Sequence, residues 1–220
     1  MDLTARFDAA LAAASFLHNG QYRKGTSVPY ISHLLAVAAI VLEHGGNEDE
    51  AIAALLHDAV EDQGGQETLA RIERSFGPLV AGIVAANSDA DTIPKPPWRE
   101  RKTAYLRHIR NASCSARLVS CADKLHNIRS ILAEFDALET GRWAKFNASR
   151  EDIVWYYGCL AEAFAAAGES ALTGEFDAEV RELERLAGVA RDVDRCPPDS
   201  RGAAPGAARR AAKRPTPRPR

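Results

Sequence analysis

The chain runs to 220 residues, 46% hydrophobic and 26% charged, with a formal net charge of −2; this is the composition of an ordinary globular protein, large enough to bury a core without disulfide or metal staples. That length suits one domain, or one with an appendage, and leaves little room for a second catalytic module. The longest uncharged apolar stretch near the start, Ala9 to Leu17, is too short to cross a bilayer and follows Arg6 and Asp8 rather than a basic run, which argues against a membrane span and a signal peptide.

In chain order the pattern predicts helices. Leu3 to Leu17 is an Ala-rich amphipathic stretch closed by Asn19-Gly20, a helix-stop pair. Leu34 to Leu42 is apolar all round and ends near Gly45-Gly46, as a buried helix does. Glu48 to Val60 reads as one similar helix that stops before Gly64-Gly65. Glu67 to Phe76 and Leu79 to Ala86 follow, separated by Gly77-Pro78, and Pro94, Pro96 and Pro97 then keep residues 88–98 out of helix. Arg99 to Arg110, Cys114 to Phe135, Arg150 to Ala167 and Phe176 to Ala187 complete the set. Nothing alternates with period two for long enough to argue a strand, so the expected fold is all-α, in one domain over residues 1–190.

Residues 191–220 are expected to form a disordered tail, since the segment from Pro197 onward lacks aromatics and large aliphatics and is rich in Pro and Gly. Residues 199–220 carry seven basic side chains and one acidic, so the near-neutral total hides a body at −8 and a tail at +6. The tail's cations are either simply solvated or make weak contacts with nucleic acid or another polyanion. Cys114, Cys121, Cys159 and Cys196 show no CxxC spacing and read as thiols in a reducing cytoplasm.

Chemistry concentrates in two apolar helices. His57 and Asp58 close the run Ala53-Ala54-Leu55-Leu56, and helical spacing sets Glu61 over His57 and Asp62 over Asp58. Three acids and an imidazole beside core are costly to bury unpaired, and a divalent cation would offset that cost. A solvated helix end, or a core histidine bonded to one carboxylate, would explain this segment alone equally well. His33 opens another apolar helix, and Asp123 interrupts the apolar stripe Leu118, Val119, Ala122, Leu125, Ile128 and Leu132. Buried Asp is rare unless paired or bound to metal. Two His and two Asp from three helices make a four-ligand site with positions left for water, suited to Mn, Fe, Co or Zn.

The order H…HD…ED…D resembles that of the HD phosphohydrolase superfamily. The finer text is similar to the hydrolase domain of the RelA/SpoT family of alarmone pyrophosphohydrolases. The matching pieces are His18-x-Gly20-Gln21-x-Arg23-Lys24, Pro29-Tyr30-Ile31-Ser32-His33, the run from Ala53 to Asp62, Phe76-Gly77, and Ala122-Asp123-Lys124-Leu125-His126-Asn127. The sequence departs from the family text at Leu34, usually Pro, and Gln63, usually Thr. The resemblance implies a stand-alone small alarmone hydrolase that removes the 3′-pyrophosphate of ppGpp with Mn²⁺. It implies that His33, His57, Asp58 and Asp123 hold the metal and that Glu61 and Asp62 form the catalytic acidic pair. It also sets Arg23, Lys24 and Asn127 beside the nucleotide. A −8 body repels a polyanion, so local cations must override the global field. Lys95, Arg99, Arg101 and Lys102 either line the pyrophosphate side of the cleft with Arg23 and Lys24 or form a charged, solvated helix. His18 and His126 read as structural, His44 and His108 as surface positions. Trp143, Phe146, Trp155, Tyr156 and Tyr157 read mostly as core.

Three readings compete: a (p)ppGpp hydrolase; the same chemistry on adenine alarmones such as pppApp or on the 2′-phosphate of NADPH; and an inactive nucleotide sensor with the basic tail as its working end. Retention of every ligand and both acids argues against the last. A nucleotide is the expected partner, with no membrane and no oligomeric state readable.

Overall fold

The computed structural model describes residues 2–88, 96–137 and 148–197. Among them lie ten α-helices: α1 (Ala5–Leu17), α2 (Ile31–Glu43), α3 (Glu48–Leu56), α4 (Ala59–Asp62), α5 (Gly65–Phe76), α6 (Pro78–Asn87), α7 (Trp98–Asn111), α8 (Cys114–Ala137), α9 (Arg150–Ala167) and α10 (Ala171–Ala187), followed by a 3₁₀ turn at Val193–Arg195. No strand forms among the described residues; a single β-bridge joins Tyr22 to Pro29. None of these helices is long and apolar enough to cross a membrane.

The ends of the helices carry local signals. Thr4 caps α1 through the Arg6 N–H, and Asn47 and Glu50 form a reciprocal capping box on α3. Glu48, in the first turn of α3, accepts from the Thr4 N–H at 2.6 Å and from Arg6 at 3.2 Å, which ties α1 to α3. α2 stops at a Schellman turn: Gly45, at φ 81°, donates to Leu42 O, and Gly46 donates to Val41 O. At Gly46 an added Cβ would lie 2.4 Å from Val41 Cγ1 and 2.8 Å from Val41 O, so only glycine lets α3 fold back so closely on α2.

The core forms where α2, α3, α6, α8 and α10 pack on one another. Leu34, Ile52, Leu55, Leu56, Leu125 and Ile128 are fully buried there. α8 touches both α2 and α3, so three apolar helices that each carry a metal-type side chain meet at one place.

Several expectations change. The segment from Glu48 to Val60 is not one helix: α3 ends at Leu56, His57 and Asp58 form a turn, and α4 restarts at Ala59. Both turn residues keep near-helical backbone angles, so the i, i+4 stacking survives while the ladder breaks beside the polar pair. α10 begins at Ala171, earlier than Phe176, because Ser170 and Thr173 cap it reciprocally. Cys159 and Cys196 are joined in a disulfide with Cα atoms 5.4 Å apart, not held as free thiols, because the C-terminal segment folds back across α9, which spacing along the chain does not reveal.

That fold-back also moves the tail boundary. Arg191 pairs with Glu184 at 2.8 Å and with Asp177 at 2.7 Å, and Trp155 Nε1 donates to Arg195 O. At Gly158 a Cβ would sit 2.8 Å from Arg191 Cβ. Residues 191–197, expected in the tail, are therefore pinned to the body; the tail beyond lies outside the described residues.

Candidate active site

His33 on the first turn of α2, His57 and Asp58 at the α3–α4 turn, and Asp123 midway along α8 converge on one point. His33, His57 and Asp58 each offer a donor atom within 4.8 Å of the others. Asp123 Oδ1 stands 3.2 Å from His33 Nε2 and 3.6 Å from His57 Nε2, and Asp58 Oδ2 stands 3.5 and 3.1 Å from the same two nitrogens. Both histidines are buried.

Hydrogen bonding decides which ring atoms face inward. His57 Nδ1 donates to Ala54 O at 2.7 Å. His33 Nδ1 lies 2.7 Å from His126 Nδ1. Burial and the neighbouring His33 and Arg23 push His126 down to about 4, so it is neutral near pH 7 and accepts the His33 N–H. Each ring thus turns its Nε2 toward the two carboxylates, and neither Nε2 makes an aligned hydrogen bond. Two buried, unsatisfied imidazole nitrogens facing two carboxylates suit a divalent cation. The electrostatics agree. Burial would drive His57 toward neutrality, but the charges of the adjacent Asp58 and Asp123 carboxylates hold it well above its ordinary value. Burial would raise Asp58, yet the His57 charge and the nearby His33 ring hold it well below the carboxylate range. The Lys124 ammonium, 2.5 Å from Asp123 Oδ2, is the main force opposing burial to hold Asp123 low.

Glu61 and Asp62 stand on α4, one turn past the ligand pair, where the Asp62 N–H donates to Asp58 O. Asp62 Oδ2 accepts from Gln21 Nε2 at 2.8 Å, and Gln21 Oε1 meets both Gln63 Nε2 and His18 Nδ1. Burial, opposed by the Gln21 bond and aided by the Asp58 and Glu61 charges, raises the Asp62 carboxyl. Tyr30 donates its hydroxyl to Asp58 Oδ2 at 2.6 Å and stacks on His18.

The bridge from Tyr22 to Pro29 folds residues 21–30 back over this group, and a cleft of about 610 Å³ opens beside it, lined by Arg23, Lys24, Tyr30, His126, Asn127 and Tyr157 among others. Arg23 Nη2 donates to Asn127 Oδ1 at 2.6 Å, and Asn127 Nδ2 donates to Asp123 Oδ1 at 2.5 Å, so one amide links the cleft's cation to the metal-type group. A second cavity of about 180 Å³ shares Asn127, Ile131 and Tyr157 with the first and carries Lys102 and Lys124. A wider groove of about 730 Å³ lies between α9 and α10, where Arg191 already pairs with Glu184 and Asp177; no histidine lines it.

The predicted residues therefore divide. His33, His57, Asp58 and Asp123 come together, with Glu61 and Asp62 next to them and Arg23, Lys24, Asn127 and Lys102 around the cavities. Arg101 turns its Nε back to Pro96 O at 3.2 Å and lines neither cavity. Arg99 pairs with Asp152 and covers the Trp155 ring. Lys95, Trp143 and Phe146 lie outside the described residues. Trp155 and Tyr156 are core, whereas Tyr157 also borders the cleft. Sequence reasoning missed Gln21, Tyr30, Lys124 and the orienting role of His126. All four stand in the quoted motif texts, but only folding brings their partners near.

The comparisons with known proteins agree with this geometry. The HD domain family matches residues 10–154. The guanosine-3′,5′-bis(diphosphate) 3′-pyrophosphohydrolase MESH1 of Xenopus tropicalis is 44% identical over 132 residues, spanning 56% of this chain and 71% of that protein. The human MESH1 is 39% identical over 127 residues, spanning 55% and 68%. A solved structure described as a metazoan ortholog of SpoT that hydrolyzes ppGpp superimposes with TM-score 0.67 at 26% identity, covering 86% of this chain and 99% of that one. The lmo0812 protein of Listeria monocytogenes matches with TM-score 0.61 at 29% identity, covering 72% and 99%. Ligand-type residues, fold and relatives coincide, and the chain belongs to the HD-domain family, in the branch that holds the MESH1 proteins.

Proposed function

We propose that this protein is a metal-dependent (p)ppGpp 3′-pyrophosphohydrolase, converting the alarmone to GDP or GTP and pyrophosphate. The observation that carries the reading is the pair of unsatisfied His33 and His57 Nε2 atoms facing two carboxylates beside a nucleotide-sized cleft lined by Arg23 and Lys24. The activity named for its MESH1 relatives supports the substrate.

In this reading His33, His57, Asp58 and Asp123 would hold the cation, taken as Mn²⁺ because the family resemblance implies it, the mixed set of imidazoles and carboxylates suiting Mn, Fe, Co or Zn alike. A divalent cation so held polarises a phosphoryl oxygen and lowers the pKa of nearby water. The protein's own groups do the rest. Asp62, held by Gln21, takes a proton from water as the water oxygen bonds to the phosphorus attached to O3′. The P–O3′ bond breaks, and the proton taken up by Asp62 passes on to O3′, with Glu61 beside it to relay the transfer. Tyr30 and His126 keep the ligands oriented, and Asn127 couples Arg23 to Asp123. Arg23 and Lys24 neutralise substrate phosphates against an acidic body, and Lys102 does so from the adjoining smaller cavity. Arg101, which lines neither of these cavities, is given no role in this reading. A nucleotide substrate supports a cytoplasmic location, against which the Cys159–Cys196 disulfide weighs.

The test is pyrophosphate release by the full chain with Mn²⁺, comparing ppGpp with pppApp and scoring phosphate release from NADPH. Turnover of ppGpp above the other two is expected. Preference for pppApp or NADPH would overturn the guanine assignment, and inactivity on all three with metal bound would overturn the hydrolase reading.

A further inference from the structure

The 610 Å³ cleft is chemically uneven along its length. One wall is α8, where Asn127, Ser130, Ile131 and Glu134 recur at helical spacing on one face. Asn127 marks the inner end, bonded to both Asp123 and Arg23. Glu134 marks the outer end, about 16 Å along the helix axis from Asp123. Among the described residues it is the one acidic side chain that lines the cleft. A carboxylate repels phosphate, so Glu134 serves a different part of a nucleotide from Arg23 and Lys24. Between the two ends Val28, Ile131 and the Tyr157 ring supply apolar surface. Such surface suits the faces of a purine and leaves its edge to polar partners. Several polar groups of the lining are already committed: Ser130 Oγ donates to His126 O, Thr26 Oγ1 to Arg23 O, and the Tyr30 hydroxyl to Asp58.

Guanine and adenine differ on the edge that such a group reads. Guanine presents its N1–H and a 2-amino N–H side by side, and one carboxylate accepts both through its two oxygens. Adenine presents an unprotonated N1 beside its 6-amino group, so the same carboxylate meets a lone pair and a single donor. We infer that Glu134 is the specificity-determining residue of the cleft, its carboxylate accepting the N1–H and 2-amino N–H of guanine and so selecting guanine over adenine nucleotides. The inference deepens the proposed hydrolase reading and rests on it for the substrate class. No chemical step is added: Glu134 acts on the base, away from the P–O3′ bond, and discriminates by leaving a buried acceptor badly paired when the wrong base is bound.

The experiment compares kcat/KM of the Mn²⁺-loaded full chain for ppGpp and for its adenine counterpart ppApp, in the wild type, Glu134→Gln and Glu134→Leu. The wild type is expected to favour ppGpp. Glu134→Gln keeps the shape but replaces one acceptor oxygen by a donor, and is expected to lower kcat/KM for ppGpp about tenfold to a hundredfold while that for ppApp holds or rises. Glu134→Leu, which removes both acceptors, is expected to abolish the preference as well. Equal losses on both substrates would make Glu134 a general support of the cleft, and an unchanged preference would remove it from base recognition; either overturns the inference. Titration calorimetry of GDP and of ADP into the same loaded proteins separates this claim from the hydrolase reading. A GDP preference that disappears in Glu134→Gln, without turnover of ppGpp by the wild type, would keep the base reader and reject the hydrolase. Turnover of ppGpp with the same base preference in the wild type and both variants would do the opposite.

Discussion

At the scale of single residues, the site works through atoms that have only one remaining use. Ala54 O and His126 Nδ1 each take up the Nδ1–H of a histidine, which leaves both Nε2 atoms turned toward carboxylates. Outer partners of this kind commonly carry 10–100-fold of metal affinity. Tyr30→Phe, which removes the hydroxyl bonded to Asp58, is expected to weaken Mn²⁺ binding by roughly that factor; unchanged affinity in a metal titration would sink the orienting role. Asp123→Asn is expected to abolish turnover while leaving the far-UV circular dichroism spectrum largely intact, because the change is isosteric. A mutant of normal activity would remove Asp123 from the ligand set. The acid limb of the rate profile carries a sign as well. The Asp62 carboxyl is raised, chiefly by burial, so as a base it loses its charge at a higher pH than an ordinary aspartate. Turnover should then begin to fall at a pH above the usual aspartate range, and the limb should shift further upward in Gln21→Ala, which loses the bond that favours the charged form.

Elements set how close these residues come. α2 and α3 meet through Gly46, where a Cβ has no room against the Val41 side chain and carbonyl. Gly46→Ala is expected to cost about 1–3 kcal/mol of stability, the usual cost of overpacking, read as a lower midpoint in urea. An unchanged midpoint would mean that the turn opens freely. Glu48 ties α1 to α3, and hydrogen bonds from Thr4 hold its carboxyl below the ordinary 4.5, with the Arg6 charge adding to them and slight burial opposing them. A depressed carboxyl stabilises the fold above its unfolded pKa, and that contribution is lost as the pH falls through the folded value. Glu48→Gln should therefore lower Tm at neutral pH, and the gap to wild type should close in acid. Element type was largely legible in the sequence, since apolar periodicity, caps and glycine stops are local. The break at His57-Asp58 was not, because it answers to groups arriving from α2 and α8.

The whole molecule adds what no element contains. The strap from Arg191 to Cys196 closes over α9, whose Tyr156 and Tyr157 line the two cavities, and the Cys159–Cys196 disulfide secures it across 37 residues. Disulfides of this kind typically contribute about 2–4 kcal/mol. Cys196→Ser, or a reductant, is expected to lower Tm by several degrees; equal values for oxidised and reduced protein would show that the strap holds without the bond. The sequence by itself determined the helices, the apolar faces and the types of residue that carry chemistry, because each is written within a few neighbouring positions. The spacing of His33, His57, Asp58, Glu61, Asp62 and Asp123 was legible for the same reason. Only the tertiary structure decided which way those groups face. His126 meets His33 across 93 residues and Arg23 meets Asn127 across 104, and Gln21, Lys124 and the paired cysteines acquire their roles the same way. Hydrogen bonds, ion pairs and close packing depend on distances in space, and local periodicity carries no record of them.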